Sequence, residues 1–191
     1  RSFADAFSDQ DSAVYHQLFG DPADFVNNLT APILDGVNPE VTYNETAVNL
    51  QPQLLDANQA VALSDVDSAN LDGGAVLVAR LNIGEALLEQ FNAPDDITQD
   101  QLGVRNQGAG AGEIGVLGSS VTFEGVQIGT IVQNGSNGGA LEISLNVNAS
   151  LAAVEALVEN LPYANTSDDP VASRQFRVQV SDGDSGFGEP A

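Results

Sequence analysis

The chain has 191 residues, of which 42% are hydrophobic, and this is enough for one sizeable core. Its 27 acidic residues face only five basic ones, all arginine, so the formal net charge is −22. Such a charge repels phosphate backbones and anionic membrane surfaces, which argues against nucleic-acid binding and favours cations as partners. Cysteine is absent, and this excludes disulfides and thiolate metal sites.

The first 30 residues differ in composition from the rest and are predicted to form an N-terminal arm with a short helix at 12–20. Five of the chain's aromatic residues lie there: Phe3, Phe7, Tyr15, Phe19 and Phe25. We expect this arm to pack on its own domain, and docking on a neighbouring chain or domain is the alternative. No stretch approaches the ~20 apolar residues of a membrane span, and no signal peptide opens the chain, so Arg1 is expected to be a cut or processed end.

From Ala31 onward, short apolar segments are broken by Gly, Asn, Asp and Pro, which predicts an all-β fold. In Phe176–Val180 the apolar residues alternate with polar ones, as in a strand with one wet face. Two helices are expected, at Leu151–Asn160, capped by Ser150 or Asn148, and at Ile83–Phe91. Strands are predicted at 41–43, 48–50, 54–63, 75–81, 102–105, 114–117, 121–123, 128–132, 141–147 and 176–180.

Three runs of sequence, taken together and in order, resemble the cadherin-like repeats of large bacterial calcium-dependent surface proteins, including repeat-in-toxin adhesins. They are VTYNETAVNLQPQLLDANQAVALSDVDSANLDGGAVLVARL, DQLGVRNQGAGAGEIGV and NASLAAVEALVENLPYANTSDDPVASRQFRVQVSDGDSG. The resemblance implies an immunoglobulin-like or cadherin-like β-sandwich over residues 31–191, with one or two short helices and calcium at loops or linkers.

The resemblance also raises a question about the last strand. Such repeats continue after the DGDSG turn into one more strand, whereas this sequence stops at Ala191. An incomplete sandwich exposes strand edges that proteins normally protect. Three explanations stay open: the boundary trims the strand, the arm at 1–30 fills its position, or another chain donates a strand.

A first candidate metal site is the loop from Asp65 to Gly74. Its oxygen-bearing side chains, Asp65, Asp67, Asn70 and Asp72, are spaced so that a glycine turn can wrap them around one calcium ion. The loop is not an EF-hand, because Val76 stands where that motif requires a glutamate. The resemblance implies that Glu45 completes the site. An Asx-turn loop without an ion is the alternative.

A second candidate metal site lies near the C-terminal end. It combines Asp182 and Asp184 of the DGD turn with Asp168 and Asp169 of a neighbouring long loop. A turn of this kind at a domain junction suits an ion shared between modules.

The segment Arg105-Asn106-Gln107 is the best candidate for a site that binds something other than a metal, a peptide or glycan for example. Arginine is scarce here, and the two amides offer donors and acceptors beside a glycine-rich loop. The alternative is that Arg105 pairs with a structural carboxylate.

We predict no catalytic residues. Gly110–Gly115 fits a dinucleotide-binding pattern but leads into strand and turn residues, and the sole histidine, His16, lies in the arm. The expected function is a calcium-stabilised structural or adhesion module on the outside of a bacterial cell, contacting neighbouring domains or identical subunits. Two alternatives are a calcium-dependent adhesin module that binds a peptide or glycan, and a filament subunit completed by strand donation.

Overall fold

The structure is a computed structural model that describes residues 30–81, 97–170, 173–183 and 187–188. The predicted helices at 12–20 and at 83–91 lie outside these residues, as does the arm apart from Thr30.

The described chain contains twelve short strands, two α-helices and one 3₁₀ turn. In chain order these are β1 (Ile33–Asp35), α1 (Glu45–Leu50), β2 (Gln53–Leu54), β3 (Ala62–Ser64), β4 (Ala75–Arg80), a 3₁₀ turn (Ile97–Gln99), β5 (Asp100–Leu102), β6 (Ile114–Leu117), β7 (Ser120–Phe123), β8 (Val126–Asn134), β9 (Leu141–Leu145), α2 (Leu151–Val158), β10 (Pro162–Asn165), β11 (Phe176–Ser181) and β12 (Phe187–Gly188).

The strands form three antiparallel sheets. The largest has seven strands in the order β12-β11-β4-β9-β8-β7-β6, a second has the order β2-β10-β5, and β1 pairs with β3. The prediction of an all-β fold with few short helices is therefore confirmed.

One face of the large sheet forms a large part of the hydrophobic core, because alternate residues of a strand point to the same side. In β4, Val76 and Val78 are fully buried, and their partners in β9, Ile143 and Leu141, are buried with them. Val178 and Val180 continue this face onto β11. The alternation predicted for Phe176–Val180 is thus present in the structure.

Helix α2 packs on the same core and agrees closely with its prediction. The side chain of Ser150 accepts a hydrogen bond from the Ala153 amide at 3.2 Å, which satisfies one of the free N–H groups of the first turn. Val154 and Leu157 of α2 are fully buried, so the apolar side of the helix that the sequence predicts packs against the core.

Two predicted strands are wrong. Residues 41–43 form no regular element, and the segment predicted as a strand at 48–50 belongs to α1. The Asn44 side chain caps the start of this helix by accepting a hydrogen bond from the Ala47 amide at 2.8 Å. Val48 is the buried residue of the helix. The local cap therefore overrides the strand pattern.

The strand predicted at 54–63 is split. Only β2 and β3 at its two ends are extended and paired, and they pair with different partners, β10 and β1. The side chain of Asp56, in the loop between them, is buried.

Three strands were not predicted: β1, β10 and β12. Of these, β12 lies beside β11, where Val180 pairs with Gly188 and Ser181 with Phe187. This two-residue strand follows the DGDSG turn and lies on the side of β11 opposite to β4.

A buried ion pair connects the three-stranded sheet to the segment that enters β11. The Asp100 carboxylate at the start of β5 accepts from Arg174 Nε at 2.9 Å, from the Tyr163 hydroxyl at 2.7 Å and from Asn165 Nδ2 at 2.8 Å. The Asp100 and Arg174 side chains are only 2% and 6% exposed. Burial, together with the hydrogen bond to Asp100, raises the pKa of the Tyr163 hydroxyl above its usual range.

Replacing Asp100 by alanine is expected to destabilise the fold strongly, because it leaves the Arg174 guanidinium buried without its carboxylate. We expect Asp100→Ala to lower the free energy of unfolding by about 3–5 kcal/mol, measured by urea denaturation. The control Asp169→Ala removes an exposed carboxylate and should change it by no more than about 0.5 kcal/mol. Equal effects of the two substitutions would contradict a stabilising role for the Asp100 network.

Candidate metal centre

Three carboxylates from separate parts of the chain come together at one end of the large sheet. One carboxylate oxygen each from Asp65, Asp67 and Asp182 lies within 4.8 Å of the other two. Asp65 and Asp67 belong to the loop between β3 and β4, and Asp182 directly follows β11. The structure therefore unites members of the two metal sites that the sequence predicted separately.

Pairing of β4 with β11 explains this meeting. Ala75, the first residue of β4, pairs with Ser181, the last residue of β11, and its amide donates to the Ser181 hydroxyl at 3.0 Å. A side chain at Gly74 would collide with the Ser181 carbonyl, and one at Gly183 would lie 2.6 Å from the Gly73 carbonyl carbon. The two loops touch only because these positions are glycine.

Hydrogen bonds fix the orientation of the loop carboxylates. Asp65 Oδ1 accepts from the amides of Asp67 and Ser68, both at 3.0 Å, and so forms an Asx turn, which is compatible with a bound ion as well as with an empty loop. Asp67 Oδ2 accepts from the Thr30 amide at 3.4 Å, so the loop also contacts the segment before β1. Asp182 is 4% exposed.

The remaining oxygens of the loop carboxylates have no donor. Asp65 Oδ2 and Asp67 Oδ1 are buried and make no hydrogen bond with any described residue. Burial raises the pKa of the Asp65 carboxyl, and the neighbouring Asp67 carboxylate raises it further, while the amides of Asp67 and Ser68 act in the opposite direction. The arrangement concentrates negative charge where solvent is limited, so a cation or a proton stabilises it.

Glu45 and Asp72, which were predicted for the first site, do not join the group. Glu45 begins α1 and is exposed, and Asp72 is exposed in the turn before β4. Asn70 accepts from the Asp72 amide at 3.2 Å and forms an isolated bridge with Ser150. Among the described residues, neither Glu45 nor Asp72 belongs to the group of converging carboxylates.

Asp168 and Asp169, which were predicted for the second site, do not join the group either. Asp168 and Asp169 are exposed in the loop after β10, where the Asp169 amide donates to the Ser167 hydroxyl at 3.1 Å. Asp184 lies outside the described residues. One signal in the sequence was consistent with this group of three carboxylates, because both of the loops that contain them flank long apolar strands. Neither loop sequence shows, however, which strands are neighbours in the sheet.

The Arg105-Asn106-Gln107 segment makes contacts within its own chain. Arg105 Nε donates to the amide oxygen of Asn160 at 2.7 Å, and not to a carboxylate. The side-chain oxygens of Asn106 and Gln107 accept from the backbone amides of β6, at Val116 (3.1 Å) and Ile114 (3.0 Å).

These amide contacts protect an edge strand. Strand β6 ends the seven-stranded sheet, and its outer N–H groups are the ones that Asn106 and Gln107 bind. The Ile114 carbonyl on the same side accepts from the amides of Gln107 and Gly108, at 2.7 and 3.3 Å. Covering an edge in this way blocks pairing with another chain.

Removing both amides should uncover β6. We expect Asn106→Ala with Gln107→Ala to lower the free energy of unfolding by roughly 1 kcal/mol per lost hydrogen bond and to promote self-association. Analytical ultracentrifugation over a concentration series measures the association, with Gln133→Ala, an exposed amide on β8, as the control. A doubly substituted protein that remains as monomeric as the control would show that the two amides do not guard the edge.

Glu45 lines a cavity of about 670 Å³ on another part of the molecule. Aromatic side chains Tyr43, Tyr163 and Phe176 form part of its wall, and Arg174 and Glu40 contribute charge. A cavity of this size can accept a small ligand.

The raised pKa of Asp65 predicts a pH dependence of the metal-free protein. The pKa of Asp65 in the folded state lies above the ordinary 3.8. Protonation of Asp65 therefore stabilises the folded state as the pH falls through this raised pKa. The contribution is lost at higher pH. We expect Asp67→Asn to lower the Asp65 pKa, because it removes the neighbouring negative charge. Carboxyl-detected NMR titration of both proteins, free of metal, measures the difference. An Asp65 pKa that does not respond to this substitution would contradict the interaction.

No protein-family model, curated protein or solved structure gives a significant match to the chain. In the described residues, no helix combines the length and apolar character needed to cross a membrane.

Proposed function

We propose that this protein is a calcium-stabilised structural or adhesion module that works outside the cell, built as an immunoglobulin-like or cadherin-like β-sandwich. One observation carries the proposal: Asp65, Asp67 and Asp182 converge while Asp65 Oδ2 and Asp67 Oδ1 are buried without hydrogen-bond partners. A bound cation supplies the positive charge that these oxygens lack.

The donor set favours calcium over softer metals. All converging ligands are carboxylate oxygens, the chain has no cysteine, and its one histidine is His16 in the arm. Hard cations such as calcium prefer oxygen ligands and accept six to eight of them in flexible geometry. Backbone carbonyls of the loop and water complete such a shell, and zinc or copper would prefer nitrogen or sulfur.

The position of the ion explains how it would stabilise the module. It joins the loop between β3 and β4 to the residue that follows β11, beside the Thr30 amide where the described chain begins. The ion thereby cross-links two segments that lie far apart in the sequence. In a chain without cysteine, calcium takes the cross-linking role that disulfides have in other extracellular proteins.

The charge of −22 supports an environment rich in cations, such as the outside of a cell. The proposal assigns the converging carboxylates to ion binding and assigns no residue to catalysis.

Calcium should raise the melting temperature of the metal-free chain. An ion that binds only the folded state contributes about 2.7 kcal/mol at a hundred times its dissociation constant. We expect the rise to be clearly smaller in Asp65→Asn with Asp67→Asn, measured by differential scanning calorimetry with calcium and with excess chelator. The control Asp168→Asn with Asp169→Asn removes the same charge from an exposed loop and should keep the full rise.

A melting curve that calcium and chelator leave unchanged would overturn the proposal. So would a calcium response that both pairs of substitutions reduce equally, since the ion would then act on the net charge of the protein and not on this site.

A further inference from the structure

A second pair of buried oxygens without donors lies away from the carboxylate group described above. Asp56 Oδ2 and Asn38 Oδ1 are both buried, and neither makes a hydrogen bond with a described residue. We propose that Asp56 and Asn38 form a second binding site for a hard divalent cation, calcium in a calcium-rich environment.

The backbone holds these two residues side by side. Gly36, with φ of 76°, lets the segment after β1 turn against the loop before β3, where any side chain at Gly36 would collide with the Ala60 carbonyl. The Asn38 amide then donates to Asp56 Oδ1 at 3.1 Å. This bond uses one oxygen of the carboxylate and leaves the other free to bind an ion.

The chemistry of the pair favours a positive group. Asp56 is 1% exposed, so its carboxylate cannot be solvated from bulk water. An amide oxygen and a carboxylate oxygen both accept hydrogen bonds, so Asn38 Oδ1 and Asp56 Oδ2 cannot satisfy each other. A buried carboxylate at neutral pH is stable when it is paired with a cation, and one metal ion can serve both oxygens.

A cavity lies beside Asn38 of this pair. Asn38 and Leu55, the neighbour of Asp56, line the cavity of about 670 Å³, and Glu40 lines it too. The cavity admits water, and a hard cation of this kind completes its shell with water and backbone carbonyls.

This site is distinct from the one formed by Asp65, Asp67 and Asp182. In the β1–β3 ladder Ile33 pairs with Ser64, next to Asp65, whereas Asp35 pairs with Ala62, on the side of Asn38 and Asp56. The two sites therefore lie at opposite ends of this ladder and can be removed separately.

Isothermal titration calorimetry of calcium into the metal-free full chain tests the proposal. The wild type should bind two equivalents, and Asp56→Asn should bind one. In Asp65→Asn with Asp67→Asn one equivalent should remain, and adding Asp56→Asn to it should remove that one. If Asp56→Asn alone removes an equivalent, this site stands even where the first site fails.

The variant Asn38→Asp separates an ion site from a structural amide. It places a second carboxylate beside Asp56, so it should lower the melting temperature without calcium and enlarge the rise that calcium causes, both in the Asp65→Asn with Asp67→Asn background. If Asn38 has only a structural role and no ion binds, Asn38→Asp lowers the melting temperature equally with and without calcium, because the backbone amide that donates to Asp56 Oδ1 is kept. That result, or a stoichiometry unchanged by Asp56→Asn in a folded protein, would overturn the proposal.

Discussion

Strands β4 and β11 form the contact on which the proposed site depends. Their ladder runs without a shift from the Arg80–Phe176 pair to the Ala75–Ser181 pair. A slip of one residue would turn Val76 and Val78 out of the core and would also move Asp182 away from Asp65. Burial of apolar side chains therefore sets the register that brings the carboxylates together.

The shortage of basic side chains makes the buried carboxylates informative. Asp100 has an arginine partner, Arg174, and its hydrogen bonds connect the three-stranded sheet to the segment that enters β11. Asp56, Asp65 and Asp67 each keep a buried oxygen without a hydrogen bond in the described chain. With five arginines for 27 acidic residues, few basic side chains are available to pair with such positions.

Two local sequence patterns predicted features that differ from those in the folded chain. Scarce arginine beside two amides suggested a ligand site at Arg105–Gln107, yet Asn106 and Gln107 cover the edge of β6. Apolar residues at 48–50 suggested a strand, but the Asn44 cap directs them into α1. In both cases the deciding partner was a backbone group whose position the sequence does not reveal.

The sequence by itself determined the all-β class, the central strands β4, β6–β9 and β11, and helix α2 with its Ser150 cap, because alternation and capping depend on near neighbours in the chain. It also pointed to Asp65, Asp67 and Asp182 as candidate ligands. Only the tertiary structure placed Asp182 with the other two and separated Glu45 and Asp72 from them, because sheet order is set by packing between residues distant in sequence. The buried pair Asn38 and Asp56 likewise arises from two loops that meet only in the folded chain.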